Sequence, residues 1–271
     1  MSPFATITTQ RPLLLVGCGR MGGALLSGWL ERGLDPAAIL VIEPSPTASS
    51  LPCRVIAAAS ALPSGLMPGV VVLAVKPQMM DDALSALPAF TSALFLSIAA
   101  GKSLSYFRAH LGERAAVVRA MPNTPAAIGR GMTVAVANVH VDAPSRELAE
   151  ALLSAVGKCA WIEDEALMDA VTAVSGSGPA YVFYLAECLA SAGIAAGLPT
   201  ALSRTLAIET VAGAGALLAE PGADPQRLRE AVTSPAGTTA AALAVLMADA
   251  GLEPLLRQAV IAAAKRSREL G

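Results

Sequence analysis

Three glycines, Gly17, Gly19 and Gly22, stand between an apolar run, Leu13 to Val16, and a stretch of helical spacing, Ala24 to Arg32. Strand, glycine turn and helix in that order make a cradle for a dinucleotide pyrophosphate. Gly17 permits the tight turn, and Gly19 has no side chain to hold the backbone away from the phosphates. Gly22 lets the helix pack close to the strand, and the helix points its free N–H groups and positive dipole end at the phosphates. A turn that needs glycines only for its own packing would read the same way; the flanking strand and helix favour the binding role. Glu43 closes a second apolar run, Ala38 to Ile42. It lies about twenty residues on, where such sheets place the carboxylate that accepts from the adenosine ribose hydroxyls. That carboxylate would repel a 2′-phosphate, and no arginine follows it directly, which leans the cofactor toward NAD. Ser45, Thr47 and Ser49 still offer hydroxyls to a phosphate, and a solvated acid at a strand end is the plainer alternative.

Lys76 follows the continuous apolar run Val70 to Val75, and Pro77 stops that strand and opens the next helix. Lys76 is thereby left at the carboxyl edge, where ligands bind in open sheets. Ala99, Ala100 and Gly101 follow Leu94 to Ile98 and are small enough for a flat ring to approach, although a plain turn has the same composition. Pro122 and Pro125 bracket Asn123 and Thr124. Ser175-Gly-Ser-Gly-Pro-Ala180 and Ser234-Pro-Ala-Gly-Thr-Thr239 each precede a helical stretch. A loop of N–H groups and hydroxyls, without lysine or arginine, can hold a carboxylate through hydrogen bonds and the helix dipole. Ordinary N-capping accounts for either loop alone. Two of them after a dinucleotide motif point to a ligand.

The elements that must position these residues alternate between strand and helix as far as Glu163. Arg54 to Ala57, Ala116 to Ala120, Met132 to Ala137 and Cys159 to Ile162 add strands, with a helix from about Ala143 to Val156. This predicts an α/β fold whose N-terminal part, residues 1–163, is a Rossmann-type doubly wound sheet. From Asp164 the strand signals stop. Helices are predicted over Ala180 to Ala196, Thr200 to Ala219, Leu228 to Val232, Thr239 to Ala248 and Glu253 to Glu269. Residues 164–271 therefore read as an all-α domain, rich in alanine and glycine and suited to close packing, including across a dimer. Met1 to Arg11 has neither a basic nor a long apolar region, which predicts a frayed tail and no signal peptide.

Of the 271 residues, 54% are apolar and 15% charged, with a net charge of -2. That balance leaves no electrostatic footprint for nucleic acid or an anionic membrane surface. Charge-free runs from Val55 to Val75 and from Ala83 to Gly101 are interrupted, the first by Pro63, Pro68 and Gly69 and the second by Pro88, Thr91 and Ser92. Neither predicts a spanning helix. Cys18, Cys53, Cys159 and Cys188 show no metal-ligand spacing and predict reduced thiols. His110 and His140 stand alone, which argues against a histidine-based zinc site or a Ser-His-Asp triad.

The chain resembles the pyrroline-5-carboxylate reductase family. The matching pieces are Gly17-Cys-Gly-Arg-Met-Gly22, Ala74-Val-Lys-Pro-Gln78, Met121-Pro-Asn-Thr-Pro125, Asp169-Ala-Val-Thr172, Ser175-Gly-Ser-Gly-Pro-Ala-Tyr181 and Ser234-Pro-Ala-Gly-Thr-Thr239, in family order over essentially the whole chain. The resemblance implies hydride transfer from NADH or NADPH to the C=N carbon of Δ1-pyrroline-5-carboxylate, giving L-proline in the last step of proline synthesis. It implies cofactor binding by Gly17, Gly19, Arg20, Met21, Gly22, Glu43 and Ser45, and an adenosine and ribose side lined by Ala74, Val75, Lys76 and Pro77. Ala99, Ala100 and Asn123 would lie against the nicotinamide. The substrate carboxylate would be held by Ser234, the backbone at Gly237 and Thr238, and Thr239, with Thr239 or a bound water supplying the proton. Similar enzymes are cytoplasmic homodimers through the helical domain, often assembled into decamers. No metal, nucleic acid or membrane partner is expected.

Two positions depart from the family pattern. Ala236 stands where a second glycine is usual, a change expected to be tolerated, and Glu43-Pro44 stands where a basic or small polar residue often favours NADP. Related hydroxyacid dehydrogenases use a lysine at the start of the helical domain, and residues 164–179 contain none. Another cyclic-imine reductase, including one for a six-membered ring, is the alternative within the same class; a dinucleotide-binding regulator would keep the fold without turnover, and the intact Ser234 to Thr239 loop argues against it.

Overall fold

The computed structural model describes residues 4–45 and 50–270. Thr47 and Ser49, offered above as phosphate donors, lie outside the described residues. The chain forms two compact units, one running to Gly176 and taking back the chain from Ala264 onward, the other Ser177–Ala263.

The first unit is built on an eight-stranded sheet: β1 (Leu13–Val16), β2 (Ile39–Ile42), β3 (Arg54–Ile56), β4 (Val70–Leu73), β5 (Leu94–Ser97), β6 (Ala116–Met121), β7 (Gly131–Ala137) and β8 (Gly157–Trp161). Their order is β3-β2-β1-β4-β5-β6-β7-β8, so the strand sequence reverses direction between β1 and β4. That switch point is where open α/β sheets take ligands. The strands are apolar runs because both faces are covered. Leu13 and Leu15 of β1, with Val70 and Val72 of β4, enter one core; Leu14, Val16, Val71 and Leu73 enter the other. Alternation of side chains across a strand thus feeds two layers from one short segment.

On one face lie α1 (Arg20–Glu31) and α4 (Ala143–Leu153), where the buried Trp29 indole donates to the Leu152 carbonyl at 2.9 Å. Gly28 permits this approach, since a methyl there would stand 2.8 Å from Val156. On the other face lie α2 (Met80–Ala86) and α3 (Leu104–Leu111), with Met80 and Phe107 fully buried. The unit is completed by the short α5 (Met168–Val171) and by the last turns of α10 (Leu252–Leu270); Ser267 donates to Asp169 at 2.6 Å and fastens the two.

Three expectations are corrected. Phe4 and Ile7 are buried in the core, so the N-terminal segment is packed from Phe4 onward instead of frayed. The helix after the glycine turn begins at Arg20, one turn earlier than the apolar periodicity suggested, because Arg20, Gly22 and Gly23 give its first turn no apolar stripe beyond Met21. β7 runs antiparallel to β6, joined through a 3-10 turn at Thr124–Ile128 where a helical crossover would keep the strands parallel.

The second unit is all helical: α6 (Gly178–Ala195), α7 (Thr200–Leu218), α8 (Pro225–Ala231), α9 (Thr238–Leu246) and the first turns of α10. Gly197 (φ +98°) and Pro199 end α6 and begin α7. The pair packs closely, with the Ser203 hydroxyl donating to the Ala190 carbonyl at 2.7 Å. Most other apolar side chains face outward; Phe183 is 62% exposed, Ile208 58% and Val245 72%. α7 is the one described helix long and apolar enough to cross a membrane, by length and composition alone.

Candidate functional site

The three motif glycines have separable causes. Gly17 sits at φ +90°, and a methyl on it would lie 2.9 Å from the Ala74 carbonyl oxygen. A methyl on Gly22 would lie 2.4 Å from the Gly17 carbonyl oxygen. Both are therefore required by the turn and by the packing of α1 on the sheet. Gly19 is different: its φ of -68° suits any residue, and a methyl on it would meet nothing within 4 Å. Neither conformation nor packing demands glycine there. Open space over a backbone N–H at the start of α1 is what an incoming phosphate requires, and a dinucleotide fits this turn on that ground.

A cleft of about 360 Å³ opens at this point, between Gly17 and Gly19, the Glu43-Pro44 end of β2, and Ala74, Val75 and Lys76 after β4. A second depression joins Gly19, Arg20, Glu43 and Ser45. Glu43 organises both. Its Oε2 accepts from the Cys18 N–H at 2.7 Å, and its Oε1 accepts from the Ser45 N–H at 3.0 Å. The carboxylate is thereby fixed between the glycine turn and the strand end. Burial first, and the Glu43 charge second, push the Cys18 thiol up to about 11, so it stays neutral beside the phosphate position. Met21 turns its side chain to the core and leaves only its backbone toward the turn. Pro77 opens a 3-10 turn, Pro77–Met79, capped by the exposed Lys76.

Ala99, Ala100 and Asn123 stand farther along the same carboxyl edge, after β5 and β6. The Ser97 hydroxyl accepts from the Ala99 N–H at 3.3 Å. Asn123 is already committed to structure: its Oδ1 accepts from Met132 N–H at 2.9 Å, and its Nδ2 donates to the Ser175 carbonyl and hydroxyl at 3.3 Å each. Ser175 itself belongs to a π-helical turn, Thr172–Gly176. The glycine-rich break before α6 is therefore wound at its start, and α6 begins at Gly178 with no side-chain cap. Gly176 lies against the Met121 side chain, whose terminal methyl would stand 2.5 Å from a methyl added there and would have to swing aside.

In the second unit, the loop from Ser234 turns into α9 at Gly237, whose N–H donates to the Ser234 carbonyl at 3.1 Å. Gly237 is the N-cap, and no side chain caps the helix. The expected Ser or Thr cap is absent because glycine itself holds the N-cap position; the Ser234 hydroxyl stands over it, 2.4 Å from where a methyl would lie. Thr238 and Thr239 occupy the first two helical positions, with Thr239 half-buried. Ala236 holds φ +57°, the one non-glycine in that region among the described residues. A left-handed alanine costs about 1 kcal/mol relative to glycine. Ala236→Gly is expected to raise the thermal midpoint by about 2–4 °C, and calorimetry showing no rise would contradict that strain.

Comparison with known proteins places these features. Residues 165–270 match the family model described as pyrroline-5-carboxylate reductase dimerisation, and residues 13–101 match one described as NADP oxidoreductase coenzyme F420-dependent. A pyrroline-5-carboxylate reductase of Pseudomonas aeruginosa is 41% identical over 266 residues, covering 95% of this chain and 96% of its own. The solved pyrroline-5-carboxylate reductase of Coxiella burnetii superposes with a TM-score of 0.87 at 32% identity, covering 97% of this chain and 99% of its own. The pyrroline carboxylate reductase of Plasmodium falciparum, solved with NADP bound, gives 0.82 at 28% identity, covering 96% and 98%. A dinucleotide turn with an open Gly19, an all-helical second unit and this identity across nearly the full length lead to one conclusion: the chain belongs to the pyrroline-5-carboxylate reductase family and is an NAD(P)H-dependent oxidoreductase.

Proposed function

We propose how this chain reduces Δ1-pyrroline-5-carboxylate: the substrate carboxylate seats on the N-terminus of α9, and Thr239 serves the ring nitrogen. The observation that carries this is the helix end left without a side-chain cap. Its first N–H groups call for an acceptor, and a carboxylate supplies one with the right charge for the helix dipole. Ser234, Gly237, Thr238 and Thr239 form its contacts. When bound, the reduced nicotinamide supplies the hydride. The C=N bond takes that hydride at carbon and a proton at nitrogen, and Thr239 donates the proton directly or relays it from water. A protonated imine is already electrophilic, so positioning is most of what the side chains must provide. The reading accords with a sequence that has two histidines in all.

We assign Gly17, Gly19, Arg20, Met21, Gly22, Glu43 and Ser45 to the phosphates and ribose, and Ala74, Val75, Lys76 and Pro77 to the adenosine side. Ala99, Ala100 and Asn123 receive the nicotinamide, Asn123 chiefly by holding the turn around it. Residues 1–163 act as the cofactor domain and 164–271 as the substrate and dimerisation domain. The outward apolar side chains of α6, α7 and α9 support a dimer through the helical domain, with a decamer as its higher assembly. The apolar surface of α7 is assigned to the partner subunit and not to lipid. Four free cysteines accord with the cytoplasm.

Glu43 is expected to disfavour a 2′-phosphate, because its fixed carboxylate stands in the cleft where that group would sit. Oxidation of NADH and NADPH with Δ1-pyrroline-5-carboxylate, run side by side, tests both reaction and preference. NADH is expected to give the higher kcat/KM, and Glu43→Gln to shift the ratio about tenfold toward NADPH. An unchanged ratio would remove Glu43 from cofactor choice, and no turnover with either donor would move the substrate to another cyclic imine.

A further inference from the structure

We propose that Glu165, held by Arg119, is a positioning residue for the nicotinamide half of the cofactor. The two form an ion pair at 2.6 Å, with the Arg119 side chain 9% exposed and Glu165 28% exposed. The same Glu165 oxygen, Oε1, accepts from the Leu104 N–H at 2.8 Å. Leu104 is the first residue of α3 and ends the loop that contains Ala99 and Ala100. That loop is consequently pinned at both ends by buried or half-buried acceptors, Ser97 on the Ala99 N–H and Glu165 on the Leu104 N–H. Arg119 lies on β6 opposite Ser97 of β5, so the pair also ties the loop to the next strand. A surface ion pair would contribute little. This one is largely desolvated, and its shared oxygen leaves the loop one register to adopt. The proposal rests on the reading that the nicotinamide lies against Ala99 and Ala100.

Glu165→Ala removes the acceptor but strands a buried Arg119, and that variant can fail to fold. Leu104→Pro avoids the difficulty. Proline at the first helical position needs no N–H, and Ser103, at φ -81° and ψ 163°, already has the backbone that precedes proline. The ion pair stays; the tether is lost together with the packing of the Leu104 side chain on the core, and Leu104→Ala, which loses that packing but keeps the N–H, is the control. Binding of NADH, followed by dihydronicotinamide fluorescence, is compared with binding of ADP-ribose, which lacks the ring. Leu104→Pro is expected to weaken NADH about tenfold and leave ADP-ribose within about twofold, while Leu104→Ala, which keeps the N–H, leaves both within about twofold. Equal weakening of both ligands, or of neither, would overturn the positioning role. Ala100→Leu separates the underlying reading: it should weaken NADH alone, and if it changes nothing the ring lies elsewhere. Should Ala100→Leu discriminate while Leu104→Pro does not, only the Glu165 proposal fails.

Discussion

Thr239→Ala is expected to lower kcat/KM for Δ1-pyrroline-5-carboxylate about a hundredfold, with NADH and NADPH dissociation constants within about twofold of wild type. The magnitude follows from what is removed, one hydrogen bond to a charged partner, worth roughly 1.5–3 kcal/mol, at a step where about 1.4 kcal/mol is tenfold. Thr239 is half-buried at the second position of α9, in the helical unit, whereas the glycine turn and its cleft belong to the sheet unit. A change confined to the former should leave dinucleotide affinity alone. Thr239→Ser keeps the hydroxyl and should recover most of the activity. Parallel loss of substrate and cofactor affinity would show that the residue supports the fold and would end its assigned role.

The second large effect is at Gly19. Gly19→Val is expected to weaken NADH and NADPH binding by about a hundredfold or more, because branched carbons would occupy the space that a phosphate needs. Nothing of the protein lies within 4 Å of the added carbon, so stability should fall by only the roughly 1 kcal/mol that a poorer N-cap costs. Gly22→Ala is the contrasting control. Its methyl would meet the Gly17 carbonyl oxygen at 2.4 Å, so stability is lost along with binding. Isothermal titration and thermal melts on the two variants separate the cases. A Gly19 variant that binds dinucleotide normally would mean that the cofactor phosphates do not cross this turn.

Much of this organisation was legible in the residues because buried strands and glycine turns write themselves plainly. Leu13–Val16 and Leu94–Ser97 are short apolar runs with turn residues beside them, and a parallel strand covered on both faces can be little else. The direction of β7 was not legible. Met121-Pro-Asn-Thr-Pro125 has the composition of any strand-to-helix loop, and the pairing that reverses the chain is a ladder between Val118–Met121 and Val134–Ala137, which Asn123 supplements by accepting from Met132, nine residues away. The π turn at Thr172–Gly176 was hidden for a related reason: it packs beside the Met121 side chain and bonds Asn123, more than fifty residues earlier in the sequence. Arg119 and Glu165 escaped notice as site residues because each alone reads as an ordinary charge, and their meaning appears only when Leu104 joins them. At the α9 loop, the residue types were correct for a ligand and for a cap alike, and the geometry showed that the cap is not made.

The outward apolar side chains of α6, α7 and α9 carry a thermodynamic consequence. A chain that carries its family's dimerisation region and leaves Phe183, Ile208 and Val245 uncovered draws part of its burial from another copy. Its folding equilibrium is then of mixed order, and mass action, not sequence alone, sets how far from unfolding it stands. A melting temperature for this protein has meaning only beside the concentration at which it was taken. Dilution, which leaves a self-sufficient monomer untouched, acts on this chain as a denaturant would.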